Sequence, residues 1–363
     1  MFRTKLQTWA LIDRVRSAGV ILLIFVVTLP PTVRADKFAG DFMSVGGGAR
    51  ALGMGGAFAA IANDASTVFW NPAGMSGLEK RHALFMHSER FGDFIDYNFA
   101  SFVSPTKSFV SADREAAFGI ALIHMGIDDI FVTRDLTFVD VDNDGIFEPA
   151  DGDRLNYDPD NLKKEANNDF ALMGSFALNT TYGRIGGNLK LVYTDAIAGF
   201  SATGIGVDLG YLYRDVFPRL DVGVKLQDIT GTFISWSSGH NEFIAPSVKI
   251  GTAYRIDLST LNGSLLLAAD GDVFFEDRRM ASQFWADRYS LDVHVGAEVT
   301  FQEKVMIRGG IDTGNPTAGA GFRVELGSVV LGFDYAYLHY KKDDEDIETF
   351  FDDTNRISVL AEF

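Results

Sequence analysis

Between residues 219 and 228 the chain places Leu220, Val222, Val224 and Leu226 at every second position, with Asp221, Gly223, Lys225 and Gln227 between them. That two-residue period is the mark of a strand whose two faces meet different surroundings. Residues 289–300 repeat it, with Leu291, Val293, Val295, Ala297 and Val299 set against Asp292, His294, Gly296 and Glu298. So do Val329, Leu331, Phe333, Tyr335 and Tyr337 against Gly332 and Asp334. Read this way, the chain holds fourteen segments, at 81–89, 94–103, 115–125, 167–178, 182–194, 203–214, 219–228, 246–256, 262–273, 289–300, 303–313, 317–326, 328–339 and 354–363.

Both the lengths and the even number predict an all-β, transmembrane antiparallel barrel, since about 9 to 11 residues suffice to cross a bilayer as a tilted strand. Connection lengths support it, because such barrels alternate short turns at one end with long loops at the other. With the N-terminus on the periplasmic side, the outer connections 126–166, 229–245, 274–288 and 340–353 are long, and 179–181, 215–218, 301–302 and Gly327 are short. Two connections break the rule, 104–114 being long for a periplasmic turn and 314–316 short for an outer loop. The soluble alternatives are a sandwich, β-helix or propeller, in which the charged face would point outward. Here the charged positions carry both signs, Asp208, Lys225, Lys249, Asp270, Glu298, Arg308 and Asp334 among them, as a hydrated or hydrogen-bonded lumen requires.

Composition narrows the class further. Arg3, Lys5, Arg14 and Arg16 precede an apolar run from Ala18 to Leu29 and a small-residue site at Val33, Arg34 and Ala35. This predicts a secretory signal peptide over 1–35, a mature chain from Asp36 and export to the bacterial outer membrane. The run is shorter than the roughly 20 residues of a spanning helix. There is no cysteine, so disulfides and thiol chemistry are excluded. The formal charge of -17 makes nucleic acid an improbable partner, while 31 Phe, 37 Gly and 11 Tyr suit a meander with aromatic girdles facing outer-membrane lipid.

Before the first strand stands a Gly/Ala-rich segment, 46–78, ending in Asn71, Pro72, Ala73 and Gly74. Its glycines invite a phosphate-loop reading, but Phe58 stands where a dinucleotide fingerprint starting at Gly53 and Gly55 needs glycine, and no Gly-Lys-Ser/Thr follows. Asp64 is expected to cap a short helix from Ala65 to Trp70, Pro72 to stop it, and Asn71 to tie the segment to barrel carbonyls.

On Gly53, Gly55, Gly56, Ala57, Asp64, Ala65, Ser66, Trp70, Asn71, Pro72, Ala73 and Gly74 this region closely resembles the N-terminal region of the PorV/PorQ family, a branch of the FadL-like outer-membrane proteins. Beyond residue 80 the similarity is one of architecture. The resemblance implies that 36–80 folds as a plug, or hatch, inside the barrel of 81–363, with Gly53, Gly55, Gly56, Asp64, Asn71, Pro72, Ala73 and Gly74 as its gate residues. A PorV-like protein would act as a secretion-associated component handling an exported cargo protein in type IX secretion; the alternative is a FadL-like passive transporter of a hydrophobic small molecule. The terminal Phe363 resembles the signal read by the barrel assembly machinery.

No enzyme is expected, because none of the six histidines sits in a nucleophile elbow or zinc-binding pattern. His294 is expected to face the lumen beside Asp292. The remaining candidate chemistry is a metal site in the outer connection 126–166, where Asp140, Asp142, Asp144, Gly145, Ile146 and Asp151 fall at positions 1, 3, 5, 6, 7 and 12 of a calcium loop. Carboxylates at alternate positions, a turn glycine and the Ile146 carbonyl supply the oxygens that Ca2+ takes, with Glu148 able to ligate through water. Asp at position 12 is a shorter arm than the usual Glu. Calorimetric titration of the refolded protein is expected to show calcium uptake that Asp142→Ala removes; identical uptake in both proteins, or none in either, would contradict the site.

Overall fold

The computed structural model describes residues 40–363 except 91–93, 108–113, 134–135, 142–144, 157–161 and 341–352. The expected signal peptide, 1–35, lies outside the described residues. Fourteen antiparallel strands form the wall: β1 (His82–Arg90), β2 (Ile95–Lys107), β3 (Glu115–Phe131), β4 (Lys164–Thr180), β5 (Gly183–Ala196), β6 (Phe200–Phe217), β7 (Leu220–Gln227), β8 (Ser247–Leu258), β9 (Gly263–Phe274), β10 (Tyr289–Phe301), β11 (Val305–Asp312), β12 (Asn315–Leu326), β13 (Val329–Leu338) and β14 (Thr354–Glu362). Each pairs with its sequence neighbours, and β14 returns to β1 in register from His82↔Glu362 to Glu89↔Asn355. The last wall residue is tied by reciprocal bonds, Arg81 N to Phe363 O at 3.0 Å and Phe363 N to Arg81 O at 2.9 Å. The sheet therefore closes with no free edge.

Burial shows which face is which. Outward side chains are apolar and open: Phe118 is 50% exposed, Ile307 57% and Ile357 59%. Inward ones are charged and covered: Lys190 is 1% exposed, and Glu298 and Arg308 are each 4%. This inverts a soluble protein, in which such a belt of exposed Leu, Ile, Val and Phe would be a contiguous apolar surface in water. A bilayer solvates it instead.

Several strands, among them β2, β3, β4 and β6, run longer than the periodicity indicated, and this shortens one of the two irregular connections. β2 continues through Pro105 to Lys107, so the turn to β3 spans only 108–114. The short outer turn is real. Thr313 (φ 49°) and Gly314 (φ 90°) link β11 and β12 as a two-residue hairpin with positive φ at both positions, the backbone that matches the strand twist. Two outer connections expected to be plain loops carry strands. Thr232–Trp236 and Asn241–Ile244 form a hairpin laid on β6, from Phe233↔Ile205 to Trp236↔Ala202, and Phe284–Ala286 pairs with β10. The long connection after β3 holds a separate hairpin of Thr137–Val139 and Arg154–Asn156.

Val295 lies at the middle of β10's outward row and is 46% exposed. Val295→Arg should cost about 2 to 4 kcal/mol of unfolding free energy in lipid vesicles, the penalty for a guanidinium at the bilayer midplane. Urea titration measures it, and a loss within about 0.5 kcal/mol, the ordinary surface value, would show that the belt meets water.

Candidate functional site: the segment within the barrel

Residues 40–78 form only short helical turns, beginning with a 3-10 turn at Asp41–Ser44, so the backbone polar groups between and at the ends of those turns need other partners. The segment has a one-turn helix at Ala49–Gly53, another at Thr67–Trp70, and a 3-10 turn over Pro72–Gly77. Inside the segment, Trp70 Nε1 donates to Gly47 O at 2.6 Å, and Phe69 and Trp70 pack edge to face at 5.0 Å between ring centroids. Apolar packing comes from Leu52, Met54, Phe58, Ile61, Val68 and Met75, all buried.

The wall supplies the remaining partners. Donors meet the segment's carbonyls: Tyr97 Oη to Gly46 O at 3.0 Å, Thr317 Oγ1 to Gly53 O at 3.1 Å, Asn188 Nδ2 to Val68 O at 2.8 Å and Lys225 Nζ to Phe69 O at 2.7 Å. Arg214 reaches Ala60 O at 2.9 Å and Ile61 O at 2.6 Å. Acceptors meet its N–H groups, with one Asp270 oxygen taking both Phe58 N at 2.9 Å and Ala59 N at 2.8 Å, and Ser358 Oγ taking Ala49 N at 3.3 Å. These contacts, together with those of Tyr211, His294 and Glu298, come from β2, β5, β6, β7, β9, β10, β12 and β14. Inward side chains of eight of the fourteen strands therefore reach the segment.

One side chain of the segment carries charge into the wall. Arg50 donates Nε and Nη2 to the two oxygens of Glu298, at 2.9 and 2.8 Å, and Nη1 to Asp64 at 3.2 Å. Glu298 is shared with Arg308 at 2.6 Å, and Arg308 passes on to Asp334 at 2.8 Å and from there to Arg323 at 3.1 Å. Burial opposes the charge on Arg50, but Glu298 above all, with Asp64, more than offsets it and raises the guanidinium above its ordinary pKa. Buried charges persist when paired in this way. A second network, Lys190 between Asp208 and Asp228, ties β5, β6 and the start of the loop after β7 together.

The structure gathers the sequence-derived gate residues in this one place. Gly53 lies against the wall backbone, its hypothetical Cβ 3.2 Å from Gly319 Cα. Gly55, at φ 66°, passes so near β11 that a Cβ would sit 2.5 Å from Ile311 O, and its own carbonyl accepts from His294 Nδ1 at 2.9 Å. Gly56 (φ 77°) turns the chain after the first helix, its N–H reaching Ala51 O at 3.0 Å. Asn71 donates Nδ2 to Tyr211 O at 3.1 Å and Ala59 O at 2.8 Å, the tie to a barrel carbonyl that its position suggested. Its Oδ1 accepts from Ala73 N at 3.2 Å, fixing the turn that Pro72 opens. Pro72 sits where a Cβ on Gly186 would come within 2.5 Å of its carbonyl carbon, and Gly74 abuts Ala62 O.

Two expectations are corrected, and the calcium-type loop falls partly outside the described residues. The second helix starts at Thr67, with Ser66 at its N-cap position, because Asp64 Oδ1 is taken by Ser66 N at 2.9 Å and by the Ser66 hydroxyl in a local turn. His294 faces the lumen but contacts Asp312 at 3.0 Å and Asp272 at 3.4 Å, while Asp292 binds Arg278 and Gln283 N. Of the calcium-type loop, Asp142 and Asp144 lie outside the described residues. Asp140 accepts from Gly145 N at 2.8 Å, and Asp153, unnoticed in the sequence, gathers Val141 N and Glu148 N at 2.8 and 3.0 Å. Phe363 is 46% exposed on the outer face and stacks on Phe102 at 6.4 Å.

No family model matches the chain, and no curated protein matches it. Solved structures do. A FadL homologue of Pseudomonas aeruginosa aligns at 11% identity over 85% of this chain and 95% of its own, with a TM-score of 0.49. The monoaromatic hydrocarbon channel TodX, in a deltaS2S3 mutant form, aligns at 11% over 87% and 98%, with a TM-score of 0.51. The Ralstonia pickettii toluene transporter TbuX aligns at 15% over 87% and 97%, at 0.40. At such identity the likeness to TodX, the one of these three with a TM-score above one half, shows the FadL-type barrel fold alone and does not single out the PorV/PorQ branch.

Proposed function

We infer that the protein is a bacterial outer-membrane barrel closed by its own segment 40–78, and that it passes hydrophobic small molecules around that segment. The observation that supports this reading is the bonding of the segment to inward side chains and backbone of eight strands. In a polar lumen an unfilled cylinder of this size would conduct water and ions; a segment packed on Phe58, Phe69, Trp70 and Met75 replaces water with protein. The name of the similar TodX structure, a monoaromatic hydrocarbon channel, favours a hydrophobic solute. A second reading, a secretion-associated protein that holds exported cargo, is favoured by the PorV/PorQ-like run through Asn71, Pro72, Ala73 and Gly74.

Deleting Asp36 to Gly77 is expected to raise the swelling rate of proteoliposomes in small sugars severalfold over the full chain; equal rates would remove the closing role. Purification from native membranes separates the two readings, since co-purifying lipidic ligands favour transport and co-purifying surface proteins favour cargo handling.

A further inference from the structure

On the outward face of β1 to β4, near their outer ends, the apolar belt gives way to a connected row of polar side chains. His87 Nδ1 donates to Asn98 Oδ1 at 2.9 Å, Asn98 Nδ2 to His124 Nδ1 at 3.3 Å, and His124 Nε2 to Asn168 Oδ1 at 2.9 Å. His87, Asn98 and His124 are successive register partners, and Asn168 stands two residues from Phe170, the next partner in the row. The row faces away from the lumen, since the residues between, Met86, Tyr97, Phe99 and Ile123, are the buried inward ones. Polar side chains on a lipid face are costly, because hydrocarbon cannot complete their bonds.

The bonds within the row do not use up its capacity. A side-chain amide offers two N–H donors and two lone pairs. Among the described residues Asn168 Nδ2 donates to no acceptor, and Asn98 keeps one N–H and one lone pair. What is left over is uncharged and mixes donors with acceptors, the pattern that hydroxyl groups complement. At the β5 end the row continues as a flat aromatic step. His124 stacks on Phe170 at 4.8 Å and 28°, and Phe170 on the exposed Tyr193 at 6.4 Å and 27°.

The rows on either side fix the kind of partner. One step toward the periplasm, Phe85, Leu122, Leu172 and Leu191 are exposed and lie in one cross-strand row with Ala100. One step outward stand Glu89 and Asp96, themselves register partners, and Asp195, the partner of Asn168. Across β1 to β5 these three rows hold no lysine or arginine. An anionic head group would therefore meet carboxylates with no cation to offset them, a juxtaposition that repels. We propose that this outward face is a docking surface for a glycolipid, its acyl chains on the Phe85 and Leu122 row and its uncharged sugar head group on His87, Asn98, His124 and Asn168. The surface lies outside the wall and does not depend on what the lumen passes or on whether the segment closes it.

The test is native mass spectrometry of the full chain, folded in a polyoxyethylene detergent that carries no sugar. It is titrated with diglucosyl diacylglycerol or with phosphatidylglycerol of the same acyl chains. The diglucosyl lipid should be retained about tenfold more tightly, the worth of one or two added hydrogen bonds. Asn98→Leu combined with His124→Leu, apolar side chains that suit the belt, should abolish the preference. Asn168→Ala, which takes away the free amide alone, should reduce it severalfold and decides the matter if the double variant fails to fold. Equal retention of the two lipids, preference for phosphatidylglycerol, a preference unchanged in the variants, or a second copy of the chain bound in place of lipid would overturn the proposal.

Discussion

The closing seam between β1 and β14 is the constraint from which the remaining features follow. In hydrocarbon every backbone N–H and C=O must be satisfied within the protein, and a sheet achieves that only by having no edge. Register from His82↔Glu362 to Glu89↔Asn355, sealed by the two bonds between Arg81 and Phe363, completes the cylinder. Once closed, the alternation of the strands sends one side chain in two outward to lipid and the other inward. The outer row must be apolar; the inner row is then free to be charged, provided that each charge finds a partner away from bulk water.

That requirement explains the density of pairing inside. Wall charges of both signs meet one another in part, as in the run from Glu298 through Arg308 and Asp334 to Arg323. Others meet backbone groups of 40–78 that its short helical turns leave over, as Lys225 meets Phe69 O and Asp270 meets Phe58 N and Ala59 N. Wall and segment therefore complete each other: Lys225 would lose one partner without Phe69 O, and Glu298 one of its two guanidinium partners without Arg50. Removing one member of a buried pair costs about 3 to 5 kcal/mol, so the segment is held far more tightly than its short helices would suggest. The glycines act where backbones touch, at Gly55 against Ile311 and Gly53 against Gly319.

Much of the wall was legible because its period is local. Lys225 and Glu298 could be assigned to the inner face from their neighbours alone, and the strand limits fell within a few residues of those observed. Their partners could not. Arg50 and Glu298 are 248 residues apart and share no periodic pattern, and Asp270 gives no sign in the sequence that it will receive two amides of the segment. The hairpin at Thr232–Ile244 was missed because its five-residue and four-residue strands are too short for a period to show. Asn71 divides its bonds between the wall and its own segment, donating to Tyr211 O and Ala59 O and accepting from Ala73 N, and only the amide's place before Pro72 hinted at this in the sequence.

Placement of the segment against the inner wall is the claim on which the account turns, and a chain without cysteine allows a direct test. Ala49→Cys paired with Ser358→Cys should form a disulfide under mild oxidation in native membranes, because Ala49 N lies 3.3 Å from Ser358 Oγ. Ala49→Cys paired with Val359→Cys, whose side chain faces outward, should not. A bond in the first pair alone is the predicted result; no bond in either, or equal bonding in both, would contradict a segment held inside the barrel.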